Sequence, residues 1–195
     1  SIKIHRLLQN DIYSFLEIEK QEKKVTDIQI LIIKELNLKI IEIKKKEKNI
    51  LKASSYIIHS KYVINKLNNN LDKNIEKAYL LINIGDFDTK NGNYQKALEN
   101  YGKSYEIRKI VYADNLNHPD IASILMNIGI AYSDKGDYQK ALENYGKSYE
   151  IYKIVYADNL NHPDIANILN NIGSAYSYKG DYQKALENYG KSYEI

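Results

Sequence analysis

A chain of 195 residues with 44% apolar and 27% charged side chains has the make-up of a globular protein of one or two domains. Its 28 basic and 25 acidic residues leave a net charge of only +3, and the lack of cysteine excludes disulfides, thiolate zinc sites and cysteine catalysis. The most apolar stretch, Ile28 to Ile43, is interrupted by Lys34, Glu35, Lys39 and Glu42, so no membrane span is expected.

In chain order, residues 1–5 read as a short strand and 6–20 as a helix with Leu7, Leu8, Ile12, Phe15 and Leu16 apolar. Residues 25–45 and 49–68 read as two more helices, and 68–70, all Asn, as a linker. This part is basic: residues 1–75 carry 15 basic and 9 acidic side chains, the remainder 13 and 16. Lys44, Lys45 and Lys46 stand beside Glu42 and Glu47. A solvated helical surface accounts for that mixture better than nucleic-acid binding does.

From residue 93 onward the chain repeats itself. Residues 93–136 and 137–180 differ at only six of 44 positions, and 181–195 repeat 137–151 without change. Gly92, Gly136 and Gly180 mark the period, and a weaker copy over 78–92 keeps Leu81, Ile84 and Gly85 in register. Each unit reads as two helices. The first follows Asn117-His118-Pro119-Asp120, with Pro in the first turn and Asp120 at the positive helix end. Its Ile121, Leu125, Ile128 and Tyr132 form one apolar stripe. Lys135-Gly136-Asp137 turns the chain, with Gly free to adopt a left-handed conformation. The second helix runs from Tyr138 to about Ala157 and packs through Ala141, Leu142, Tyr145, Ser148, Tyr149 and Tyr152. Neither stripe can be buried alone, so successive pairs must stack.

These residues resemble the tetratricopeptide repeat: Ile128, Gly129 and Tyr132, then Gly136, Asp137 and Tyr138, then Ala141 and Tyr145 follow its pattern. The 44-residue period and the His-Pro-Asp-Ile-Ala start look like the kinesin-light-chain subtype. Ser148 stands where that family prefers Ala, and Asp88 where it has Tyr, which suggests a degenerate first copy. Residues 4–9 (Ile-His-Arg-Leu-Leu-Gln) resemble the end of the winged helix in NB-ARC-type (STAND) signalling NTPases that carry such repeats, and Tyr56 to Leu67 their helical connector. The resemblances imply an all-α chain: a winged-helix tail at 1–22, a connector at 23–75, and a repeat superhelix at 76–195. The superhelix divides into a degenerate unit at 76–117, then 118–161 and a truncated 162–195.

The six differences between copies are Asn93/Asp137, Arg108/Tyr152, Ser123/Asn167, Met126/Asn170, Ile130/Ser174 and Asp134/Tyr178. The last four lie on the first helix at spacings of 3, 4 and 4, pointing away from Ile121, Leu125, Ile128 and Tyr132. Drift on an exposed surface would produce such differences, yet the many other exposed polar positions have not drifted, which points to a varied binding face. By resemblance, this face lines the concave groove. Asn83, Asn127 and Asn171 recur beside it, and an amide there can pair with an extended peptide backbone or bond helix to helix. In kinesin-light-chain-like repeats an Asn of this register contacts ligand main chain, which the resemblance implies here. Chaperone-tail-binding repeats carry Lys where Ile82, Met126 and Asn170 stand, which disfavours carboxylate clamping.

Gly-Lys-Ser at Gly102, Gly146 and Gly190 mimics the end of a phosphate loop, but Ala97, Ala141 and Ala185 occupy the required upstream Gly position. His118 and His162 recur with Asp120 and Asp164 as helix starts, so no metal site is expected. Repetition of every candidate argues against one converged catalytic centre. The expected function is therefore protein or peptide binding in the groove, without catalysis, cofactor, nucleic acid or membrane. Within an intact STAND-type protein the array would be the sensor; a freestanding scaffold or cargo adaptor is the rival reading. No signal peptide is visible, and a cytoplasmic location is expected. The pattern breaks off in mid-unit at Ile195, so the chain reads as a piece of something longer whose last helix would self-associate or fray.

Overall fold

A computed structural model describes residues 22–45, 50–66 and 74–195. Among these, all regular structure is helical: α1 (Glu22–Lys45), α2 (Ile50–Lys66), α3 (Ile75–Lys90), α4 (Tyr94–Val111), α5 (Pro119–Asp134), α6 (Tyr138–Val155), α7 (Pro163–Lys179) and α8 (Tyr182–Tyr193). The strand expected at 1–5, the helix at 6–20, the winged-helix segment at 4–9 and the Asn linker lie outside the described residues. None of the described helices is long and apolar enough to cross a membrane.

The chain divides into two compact units between Ile84 and Gly85, within α3. In the first, α1 packs on α2, burying Ile33, Leu36 and Ile40 of one helix and Ile57 and Val63 of the other. The amide of Asn37, itself buried, donates to the Glu76 carbonyl at 3.1 Å and ties α1 to the start of α3.

In the second unit each helix packs on the next, and α5 also touches α7, two elements on. That is the contact pattern of a stack of hairpins. Because α5 has neighbours on several sides, its buried face is wider than one stripe. Ile121 and Leu125 are buried as expected, together with Ala122, Ile124, Gly129 and Ala131, while Ile128 and Tyr132 stay half-buried. The hairpin turns follow the sequence closely. Gly136 has φ +87°, the left-handed region that an L side chain avoids.

The framework positions have visible physical causes. Gly129 lies under the buried ring of Tyr145, where a Cβ would come within 2.4 Å of Cε1; Gly85 and Tyr101, and Gly173 and Tyr189, repeat the arrangement. Ser148, fully buried, donates to the Ala122 carbonyl at 2.7 Å, so the hydroxyl that replaces the family's Ala bonds α6 to α5. Asp88, also buried, accepts from the Asn100 amide at 3.4 Å in place of the usual ring packing.

Each helix start is a small knot. His118 caps α5 by accepting the Asp120 backbone N–H on Nδ1, its ring stacks on Tyr112 at 3.6 Å, and the Tyr112 hydroxyl donates to the Asp120 carboxylate at 2.7 Å. Tyr156, His162 and Asp164 repeat it, with ring centroids 3.5 Å apart. Burial and the Asp164 bond push the Tyr156 hydroxyl up to about 12. His118→Ala loses both cap and stack and is expected to cost about 1–2 kcal/mol. His118→Asn restores a capping acceptor and should recover part of the loss; thermal melts of the two variants measure the split.

The second helices start differently. Asp137 and Asp181 cap α6 and α8 by accepting the backbone N–H of Lys140 and Lys184, and pair with the same lysines at 2.9 and 2.8 Å. These bonds hold both carboxyls below their ordinary value of 3.8. Their contribution is present above pH 4 and lost as pH falls through the depressed folded value. Asp134 has the opposite sign, since burial raises its carboxyl and protonation relieves it. Melting curves between pH 7 and pH 3 should therefore fall less steeply for Asp137→Asn/Asp181→Asn than for the parent. Asp134→Asn should raise the melting temperature at pH 7 and leave a steeper acid decline.

Candidate functional site

The rewritten stripe of α5 and its counterpart on α7 are placed differently. Asn167, Asn170 and Tyr178 are exposed and Ser174 is half-buried. On α5, Asp134 is exposed, whereas Ser123, Met126 and Ile130 are half-buried. Met126 and Ile130 pack against the core shared by α5, α6 and α7, and Ser123 meets the Tyr152 hydroxyl. The stripe is thus not one free surface. Its middle on α5 belongs to the scaffold, because α5 has packed neighbours on more sides than a two-faced helix.

Position 130 shows how far that goes. Its counterparts Asp86 and Ser174 receive the hydroxyls of the buried Tyr101 and the half-buried Tyr189 at 2.9 and 3.1 Å. Ile130 cannot accept, so the Tyr145 hydroxyl has no counterpart of that bond. Burial holds the Tyr101 and Tyr145 hydroxyls far above their ordinary range. A second pair of differences is also structural. Arg108 and Tyr152 are both buried at one register of the second helix, and the Arg108 guanidinium donates to the Asp120 carbonyl.

The three recurrent amides separate. Asn83 is only 8% exposed and its amide donates to the side-chain Oδ1 of Asn37 at 3.0 Å. It is a helix-to-helix tie in the first unit, which corrects its placement on an open groove. Asn127 and Asn171 are half-buried, and neither makes a side-chain hydrogen bond to the described residues. Asp134 likewise has no cation or donor among the described residues. Tyr178 is 70% exposed and stacks on Tyr138 at 5.5 Å, so its ring is held while one face stays open.

A hollow of about 570 Å³ lies elsewhere, between α4 and α6, with Ile121 and Leu125 of α5 in its floor. Leu116 and Gly146 line it, and a Cβ on Gly146 would meet nothing within 4 Å. The mid-helix Gly-Lys-Ser segments are therefore plain helix, with no loop to cradle a phosphate.

The tetratricopeptide-repeat pattern matches residues 76–154, and a second pattern of the same description matches 166–195. Over these residues the chain carries tetratricopeptide repeats. Its solved structural neighbours include BtubC (BKLC) from P. vanneervenii, with a TM-score of 0.75 at 16% identity over 98% of this chain and 71% of that one. A candidate kinesin light chain of Podosopora anserina, with nearly identical TPR-like repeats, follows at 0.63 and 16%, covering 97% and 92%. MamA stands at 0.51 and 19%, covering 90% and 91%. At such identities the likeness shows the fold alone. No curated protein matches the chain at the sequence level. A tetratricopeptide-repeat array is a protein-binding scaffold, and the fold is typically non-catalytic.

Sequence reasoning missed the stacked Tyr at each helix start and the hydroxyl bond of Ser148. The Tyr was legible as a 44-residue recurrence of Tyr112 and Tyr156. The Ser148 bond had no signal, since its acceptor is a backbone carbonyl 26 residues away.

Proposed function

We propose that the tetratricopeptide array binds an extended segment of another protein along the face formed by α5, α7 and the last turn of α3, without catalysis. The observation that carries this reading is the pair of half-buried, unbonded amides Asn127 and Asn171 at one register. A partly desolvated amide without an internal partner gains most from a ligand that supplies both a carbonyl and an N–H, as extended backbone does. Capture of partners by the purified array, followed by peptide mapping, tests it. Loss of the captured segment on replacing both amides supports the reading, and unchanged capture overturns it.

The array further reads as the sensor of a STAND-type signalling NTPase in the cytoplasm. Supporting this are the sequence resemblances at 4–9 and at Tyr56 to Leu67, the latter falling largely on α2. Ligand docking would regulate such a protein only by favouring one inter-domain arrangement over another. The coding frame upstream of Ser1 decides between the readings. A phosphate-loop sequence there supports the sensor, and a start codon a few residues upstream supports a freestanding scaffold or cargo adaptor, a role in keeping with the kinesin-light-chain-like fold neighbours.

A further inference from the structure

The last turn of the first helix in each unit carries a different chemistry at one register: Lys90 on α3, Asp134 on α5 and Tyr178 on α7. All three are exposed. Lys90 and Asp134 have no ion pair or hydrogen bond from their side chains to the described residues. Lys90 suits the negative end of its helix dipole; Asp134 opposes that of α5, and its surroundings also raise its carboxyl. A carboxylate in that place lowers stability, and nothing among the described residues offsets it. Tyr178 is pre-oriented by its stack on Tyr138, so a second ring meeting it loses little further freedom.

The three positions form a row. Helices α5 and α7 are in contact, and Lys135 and Lys179, the neighbours of Asp134 and Tyr178, donate to Gln95 and Gln139 at 3.2 and 2.7 Å, just past the turns that follow Lys90 and Asp134. Neighbouring packed helices lie about 8–10 Å apart, and an extended chain advances about 3.3 Å per residue, so adjacent positions match side chains about three residues apart.

We propose that Lys90, Asp134 and Tyr178 select, within the segment bound by the array, an acidic, a basic and an aromatic side chain in that linear order. The inference rests on the binding reading above and adds the ligand's chemistry to it. The rule is one of complementary charge: opposite signs meet at two positions, and ring meets ring at the third.

The test is a set of synthetic peptides of about nine residues, with Glu, Lys, Tyr or Ser permuted over every third position and Ser and Gly between. Binding to the full chain is measured by fluorescence anisotropy. The Glu–Lys–Tyr order, or its reversal along the chain, should bind about tenfold tighter than orders with the two charges exchanged. The Lys90→Glu/Asp134→Lys variant should invert that preference. Equal binding of every order, no binding of any peptide, or a preference indifferent to the double exchange overturns the proposal. The broader reading fails separately, if Asn127→Ala/Asn171→Ala leaves binding of every captured segment unchanged.

Discussion

Gly129→Ala is expected to destabilise the array by about 1–3 kcal/mol, although alanine favours helices. The added Cβ would stand 2.4 Å from Cε1 and 2.5 Å from Cδ1 of Tyr145. That ring is only 2% exposed, so it cannot swing away without leaving a void or displacing α6. The gain in helix propensity, about 1 kcal/mol, offsets only part of the clash. Gly146→Ala is the matched control. Its Cβ enters open space, so it should stabilise by up to about 1 kcal/mol and raise the melting temperature. Thermal melts of the two variants should therefore move in opposite directions. Equal shifts of the same sign would refute the role given to Gly129. In a Tyr145→Ala background the Gly129→Ala penalty should vanish, since the atoms it meets are gone.

Asn127→Ala/Asn171→Ala is expected to weaken partner binding by about tenfold for each amide lost, with melting unchanged or slightly raised. Neither amide bonds to the described residues, and alanine is the better helix former, so stability has nothing to lose. Asn83→Ala should behave in the reverse way: the Asn37 bond disappears and leaves a buried amide without its donor, so melting falls. One substitution type at one register thus separates ligand contact from scaffold. A fall of several degrees in the Asn127/Asn171 variant would assign those amides to the scaffold instead.

Much of the candidate site was legible as residue positions, but not its division of labour. Near-identity of two copies isolates Ser123, Met126, Ile130 and Asp134 by comparison alone, without any coordinates. Their helical spacing also places them opposite the Ile121–Leu125 side. What that spacing could not reveal is that Met126 and Ile130 pack on the core while Asp134 remains open. A periodicity argument treats a helix as having one inner and one outer face. In a stack of hairpins the first helix of a unit meets its own partner, the preceding unit and the following one, so two of its sides are used up. The same limit hid the fate of Asn83, whose partner Asn37 lies 46 residues earlier on a helix without repeat symmetry.

The amino-acid order by itself determined the hairpin units, their 44-residue period, their left-handed glycine turns and the His-Pro-Asp helix starts. All of these depend on residues near one another in the chain, where backbone sterics and local hydrogen bonds suffice. Only the tertiary structure decided which amides were free, which tyrosine found Asp86 or Ser174, and why Gly129 cannot be alanine. Those outcomes depend on groups a full helix or more apart, brought together by packing, and no local pattern encodes the contact distance.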